Sequence, residues 1–222
     1  MLTVLSTLIL ATVLAPFLIY YLGRPAFGIL AIAPGAGFFW VLSQLTNSTF
    51  HDGNALRYNL EWMPDANLSI TLRMDALSAL FSLIILGIGA LVLLYCWGYF
   101  DQTRRRLAMF GAQMTAFATA MFGLVVSDNI LMMYVFWEIT SLLSFLLVSY
   151  YGERASSRRA AQQALMITTL GGLAMLMGII LLGRQTGQWT FSALADFEHI
   201  TQTPYITIAI VLILAGAISK SA

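Results

Sequence analysis

Charge is what this 222-residue chain has least of: only 9% of its residues are Asp, Glu, Lys or Arg, against 59% hydrophobic ones. A soluble domain carries about 25% charged residues to face water, so a soluble fold is excluded. The 11 basic and 10 acidic residues leave a formal net charge of +1, which gives neither nucleic acid nor an acidic substrate a field to follow. The single cysteine, Cys96, excludes an intrachain disulfide and a thiolate metal site, and reads as a small packed hydrophobe. Both histidines, His51 and His199, lie between apolar runs, which leaves no imidazole inside a span for a Ser-His hydrolase, a haem or a metal. No phosphate loop and no dinucleotide fingerprint is present, and no cofactor is expected. The N-terminus lacks a basic stretch and a small-residue cleavage site, so Met1 to Tyr21 reads as a retained span and not as a removed signal.

What the chain does have is long apolar runs. Hydropathy marks seven: Leu2–Tyr21, Ala26–Leu45, Asp75–Trp97, Leu107–Val126, Asn129–Tyr151, Ala161–Leu182 and Tyr205–Ala222. Each approaches or exceeds the roughly 20 residues that cross a hydrocarbon core of about 30 Å. The expected fold is an all-α polytopic membrane protein in which residues 1–46 supply two transmembrane helices, 47–74 an outer loop, and 75–222 the third to seventh helices. The seventh run reaches the last residue, so the chain is expected to be the N-terminal part of a longer protein, its helix bundle cut off in the seventh helix.

Arginine placement gives the orientation. Arg24, then Arg104, Arg105 and Arg106, then Arg154, Arg158 and Arg159 fall in alternate connections, whereas the opposite set holds only Arg57, Arg73 and Arg184. By the positive-inside rule the first set is cytoplasmic and the N-terminus lies outside. Strand character is confined to the long outer loop. There Leu68, Ile70 and Leu72 alternate with Ser69, Thr71 and Arg73, and Pro64-Asp65-Ala66-Asn67 offers a turn back towards Leu60-Glu61-Trp62, which predicts a short β-hairpin. Gly171, Gly172, Ala174 and Gly178 on the sixth span, and Gly87 and Gly89 on the third, read as close helix contacts in lipid and not as chemistry.

Two charges sit where charge is costly. Glu138 lies about ten residues from the Asn129 end of the fifth span, near the bilayer midplane, where an ionised acid costs about 2.5–3.5 kcal/mol on insertion scales. Tyr134, Glu138, Ser141 and Phe145 recur at i, i+4, i+7 and i+11 and share a helix face, with Ser141 within a turn of the carboxylate. Glu138 is either an ion-pathway residue or a static contact to a neighbouring helix. Lys220 stands in Gly216-Ala217-Ile218-Ser219-Lys220-Ser221-Ala222, and a straight helix from Pro204 puts it about 24 Å deep, deeper than Glu138. It is either an inner-end lysine that snorkels to the cytoplasm or a partner of Glu138 on a helix that starts higher, tilts or breaks. Asp75 opens the third span and Asp128 precedes the fifth, and both read as helix N-terminal caps.

Taken together, Leu124-Val125-Val126-Ser127-Asp128-Asn129, Phe136-Trp137-Glu138-Ile139-Thr140-Ser141, Arg73-Met74-Asp75-Ala76-Leu77-Ser78-Ala79-Leu80-Phe81 and the glycine-lysine segment at 216–222 resemble the A subunit of Mrp-type multisubunit sodium/proton antiporters. The resemblance runs from about Trp62 to the end. It implies an antiporter-like helix bundle in a bacterial cytoplasmic membrane, in a hetero-oligomer with other subunits, exchanging cytoplasmic sodium for external protons. Such a chain is a secondary transporter subunit and not an enzyme. The resemblance also implies that Glu138 and Lys220 form an intramembrane pair gating proton transfer, with Tyr134, Ser141 and Asp75 as supporting candidates, and that the seventh helix breaks near Lys220. The related antiporter-like subunit of respiratory NADH:quinone oxidoreductase is the alternative, and a structural scaffold subunit is a third. Sodium, protons and lipid are the expected small partners, with no nucleic acid.

Overall fold

The computed structural model describes residues 1–47, 50, 54–63, 68–100, 104–151, 155–195 and 204–221. His51, His199, Arg154 and the turn at 64–67 lie outside the described residues. Among the described residues the elements are helices and one pair of strands: α1 Leu2–Leu22, α2 Pro25–Thr46, β1 Leu56–Met63, β2 Leu68–Met74, α3 Ala76–Tyr99, α4 Arg104–Val126, α5 Ile130–Val148, α6 Ala155–Thr186, α7 Phe191–Ala195 and α8 Pro204–Lys220. Six of these helices are long and apolar enough to cross a bilayer, with mean hydropathy between 1.5 and 2.7, and the 17-residue α8 is a shorter apolar one. The all-α polytopic architecture of about seven spans is therefore observed, and β1 and β2 pair as a two-stranded sheet. Large apolar side chains face outwards all along these helices, among them Phe39, Leu91, Leu170 and Ile218, as a lipid environment requires.

Helix boundaries depart from hydropathy where helix propensity takes over. α6 begins at Ala155, before the expected Ala161, because Ala-Ser-Ser-Arg-Arg-Ala-Ala-Gln-Gln continues helical geometry into polar sequence. α5 ends at Val148 and tightens into a single 3-10 turn, Ser149–Tyr151. The short α7 had no counterpart in the apolar pattern. α8 is unbroken from Pro204 to Lys220. The break expected near Lys220 is not found among the described residues: Ser221 N still donates to the Ala217 carbonyl at 3.2 Å, and Ala222 lies outside the described residues.

The chain divides into two compact units. The first comprises residues 1–58 and 72–126 and contains α1 to α4. α1 meets α4 through a Thr12 Oγ1 to Thr119 Oγ1 hydrogen bond of 3.0 Å, with Gly111 leaving room for Ile19 and Phe27. α2 meets α3 where a side chain at Gly28 would stand 3.1 Å from Trp97 and one at Gly87 would stand 3.2 Å from Phe38. Asp75 opens α3 with a capping box: Ser78 N donates to Asp75 Oδ1 at 2.9 Å and Asp75 N donates to Ser78 Oγ at 2.7 Å.

The second unit comprises residues 59–71 and 127–222 and holds α5, α6, α7 and α8. Its apolar centre is Ile130, Met175 and Ile179, surrounded by Leu131, Tyr134, Trp137, Trp189, Ile213 and Ala217. α6 and α8 run in close contact because both supply glycine at the crossing. A side chain at Gly216 would stand 2.6 Å from the Gly171 carbonyl oxygen, and one at Gly178 would stand 2.6 Å from the Ala209 carbonyl oxygen. Such spacing lets two backbones touch, which is how helices gain packing in lipid.

Candidate functional site

The candidate site is built on α5, and α5 is fixed at its start by a polar knot. Asn129 is the N-cap: its Oδ1 accepts from Leu131 N and Met132 N, both at 3.0 Å. The expectation that Asp128 caps α5 is therefore corrected, because the residue one step nearer the helix does that work. Asp128 instead reaches the start of α7, accepting from Ser192 N at 3.0 Å and from Ser192 Oγ at 2.5 Å. Its backbone N–H donates to the Thr71 carbonyl of β2 at 2.8 Å, and its carbonyl accepts from Phe191 N at 2.8 Å. Asn129 also pairs with Thr190 in an antiparallel bridge, and Ile130 N donates to the Trp189 carbonyl. The buried Asp128 thus ties β2, the entry to α5 and the segment after α6 into one cluster.

Two turns into α5, Glu138 turns towards α6. The adjacent glycines of that helix each make room for one neighbour: a side chain at Gly172 would collide with Glu138 Oε1, and one at Gly171 would collide with Ser219 of α8. Glu138 Oε1 is buried and has no hydrogen-bond partner among the described residues. Tyr134, one turn earlier on α5, packs against Ile130, Met175 and Ile179.

Lys220 reaches the same helix from α8 but lands one turn away from the acid. Its Nζ donates to the Trp137 carbonyl at 3.0 Å, to Ser141 Oγ at 3.0 Å and to Thr140 Oγ1, and it stands 4.5 Å from the centre of the Trp137 ring. The two charges act on each other electrostatically, yet no direct ion pair joins them. Ser141 serves the lysine and not the carboxylate. The lysine reaches α5 on a continuous α8, so the mismatch in depth is met without a break between Pro204 and Lys220.

Thr140 is the contact that sequence reasoning missed, because it stands two residues from Glu138 and off the Tyr134 face. The glycine pair was seen but taken for packing alone. Asp75 belongs to the other unit, where its partners are Ser78 and Arg73, whose guanidinium lies 3.7 Å from the carboxylate. Burial works against its charge, but the hydrogen bonds from Ser78 and the positive Arg73 outweigh it and hold the carboxyl below the ordinary carboxylate value. No group of His, Cys, Asp and Glu that could hold a metal occurs among the described residues.

The arrangement is an apolar helix bundle with an acid on α5 and a lysine of α8 bound to the same helix one turn away. Residues 127–222 match the family model described as NADH:quinone oxidoreductase/Mrp antiporter, TM, and residues 62–110 match the N-terminal model of chain 5 of NADH-ubiquinone oxidoreductase (complex I). Over these two stretches the chain carries antiporter- and complex I-type membrane sequence. Over 175 residues it is 42% identical to the Na+/H+ antiporter subunit A1 of Staphylococcus aureus (strain bovine RF122 / ET3-1), a match covering 78% of this chain and 22% of that protein. Its fold matches a chain of the Mrp complex from Dietzia sp. DQ12-45-1b with a TM-score of 0.86 and 28% identity, covering 99% of this chain and 23% of the other. A chain of the membrane-bound sulfane sulfur reductase, an archaeal respiratory membrane complex, shares the fold with a TM-score of 0.78 at 18% identity, over 96% of this chain and 43% of that one. The chain therefore spans less than a quarter of the length of the curated relative it matches.

Proposed function

We propose that this protein works as a subunit of a multisubunit cation/proton antiporter that exchanges cytoplasmic sodium for external protons, with Glu138 and Lys220 as the proton-transfer pair. The observation that carries this reading is the meeting of the two intramembrane charges on one helix: Glu138 faces Gly172 of α6 while Lys220, at the far end of α8, binds α5 one turn away. Charges this costly in lipid persist where they move ions or pair with one another. The likeness to an Na+/H+ antiporter subunit and to a chain of an Mrp complex supports the choice of transported ions and of other subunits as partners.

The chemistry follows from charge in a low dielectric. A protonated lysine and an ionised glutamate stabilise each other when close and are each poorly solvated when apart, so proton occupancy and side-chain position are coupled. A cation or a neighbouring subunit that competes for the Glu138 carboxylate biases that coupling, and linkage makes the effect reciprocal. The arginine-bearing connections at 24, 104–106 and 154–159 support a topology with these loops in the cytoplasm and the N-terminus outside, in a bacterial cytoplasmic membrane.

The test is sodium-driven proton movement in everted vesicles carrying the complete complex, comparing wild type with Glu138→Gln at equal abundance. Exchange is expected to vanish with the complex intact. Undiminished exchange would remove Glu138 from the path, and loss of the complex itself would favour a structural scaffold. The complex I model matched at residues 62–110 favours a second reading, a proton-pumping subunit of a respiratory complex. That reading predicts copurifying flavin or iron–sulfur subunits and proton movement driven by a redox donor instead of sodium.

A further inference from the structure

An ammonium group has three hydrogens and no lone pair, so it is satisfied only where three acceptors converge. Lys220 finds them all on one turn of α5: the Trp137 carbonyl, Thr140 Oγ1 and Ser141 Oγ, at i, i+3 and i+4. Both hydroxyls are oriented for the task. Thr140 Oγ1 donates its own hydrogen to the Trp137 carbonyl at 2.7 Å and Ser141 Oγ donates to the same oxygen at 3.1 Å, which leaves their lone pairs to the lysine. The Trp137 ring beneath the ammonium adds a cation–π contact. No part of this arrangement needs Glu138.

The two positions open to the lysine also differ in their surroundings. Lys220 and Ser141 border a cavity of about 220 Å³ whose other walls include Ser144, Phe145 and Thr168. Ser144 Oγ donates to the Thr140 carbonyl at 2.7 Å and Thr168 Oγ1 to the Ala164 carbonyl at 2.9 Å, so both have lone pairs left over. A space of this size with hydroxyls on its wall can hold water. Glu138 Oε1, by contrast, is packed against Gly172 without a hydrogen-bond partner. The lysine's position borders open space with hydroxyls on its wall, whereas Glu138 Oε1 is closely packed.

We propose that Thr140 and Ser141, with the Trp137 carbonyl, form a seat that holds the Lys220 ammonium apart from Glu138, and that the lysine works by exchange between this seat and the carboxylate. Thr140 and Ser141 are then positioning residues, with no proton of their own to deliver. The proposal rests on the antiporter reading above. It deepens that reading by assigning the second of the two states that a gate requires.

The test uses the complete complex in everted vesicles, with the initial rate of sodium-driven proton movement read by a pH-sensitive dye and normalised to complex abundance. Thr140→Val keeps the shape of the side chain and removes its acceptor. A hydrogen bond to a charged group is worth enough to move a rate by about ten-fold or more, so a loss of that order is expected, with the half-saturating sodium concentration unchanged. Ser141→Ala, which only deletes an oxygen, gives a second and milder cut of the same kind should the valine variant assemble poorly. Thr140→Ser, which restores the hydroxyl, recovers most of the rate. A serine variant as slow as the valine variant would overturn the proposal, because shape and not the hydroxyl would then matter. Wild-type rates in Thr140→Val and Ser141→Ala, in a background where Glu138→Gln is inactive, would overturn the seat and leave the antiporter reading standing. Absence of sodium-driven movement in the wild type would overturn both.

Discussion

Gly172→Ala adds one methyl group in the middle of α6, and that methyl would occupy the space of Glu138 Oε1. Two responses are open to the protein. The carboxylate can leave its place beside α6, or α6 can withdraw from α5. Overpacking of this kind costs about 1–3 kcal/mol. The alanine returns about 1 kcal/mol in helix propensity, so the net cost to folding is about 0–2 kcal/mol and the complex should still assemble. The effect on function is expected to be larger than the effect on stability, because the displaced atom belongs to the candidate proton-transfer acid. A shift that raises the barrier by about 1.4 kcal/mol slows exchange about ten-fold. The assay is sodium-driven proton movement at equal complex abundance, with Gly35→Ala as the control, since a methyl there meets nothing within 4 Å. A second variant sharpens the test. Glu138→Asp withdraws the carboxylate by about one C–C bond, 1.5 Å, so it should impair exchange alone yet recover part of the rate when combined with Gly172→Ala. Wild-type exchange in Gly172→Ala would refute the idea that this glycine sets the position of the acid.

Two further outcomes concern the ends of helices. Asp128→Ala removes the acceptor for two hydrogen bonds from Ser192, each of the charged class worth about 1.5–3 kcal/mol, and should lower the melting temperature of the purified complex and speed proteolysis between α6 and α8; an unchanged melting curve would dismiss the knot as a stabilising feature. Asp75→Ala should cost about 0.5–2 kcal/mol as a lost N-cap, seen as a lower melting temperature. Because the folded carboxyl of Asp75 is held below its ordinary value, the cap's contribution is present above that ordinary value and is lost as pH falls through the lower, folded one. The melting deficit of the alanine variant should therefore shrink in acid, and a deficit that grows as pH falls would contradict the assignment.

The spans were legible because lipid imposes a length and a polarity that few other environments demand. The hairpin was legible for a similar reason, since Leu68, Ile70 and Leu72 alternate with polar neighbours over enough residues to fix a period. α7 was not read, although Thr190 carries a cap signal and accepts from Ala193 N at 3.3 Å, because five residues give no periodicity and its second acceptor comes from Asp128, far away in sequence. The role of Asp128 was misread for the same physical reason. A carboxylate just before a helix looks like that helix's cap, and only the fold shows that Asn129 fills the place and frees Asp128 for another partner. Glu138 stood out by its cost in lipid, whereas Lys220 also fitted an inner-end lysine and was joined to Glu138 only by the family resemblance. What sequence could not give was their separation, since the Trp137, Thr140 and Ser141 face becomes visible only once α8 has been laid against it.

Glycine 171 and glycine 172 link these observations. On a helix, adjacent residues point about 100° apart, so two neighbouring glycines open α6 towards two different partners at one level. One opening admits Ser219, the residue before Lys220, and the other admits Glu138. A small movement of α6 along or about its axis therefore changes the room at both positions together. If the antiporter reading holds, the close packing assigned to lipid-phase helix contact is also what would couple the acid to the lysine. A chain of packed backbones in which two discrete side-chain positions share one wall is the kind of element through which a bound cation or a neighbouring subunit can bias proton movement.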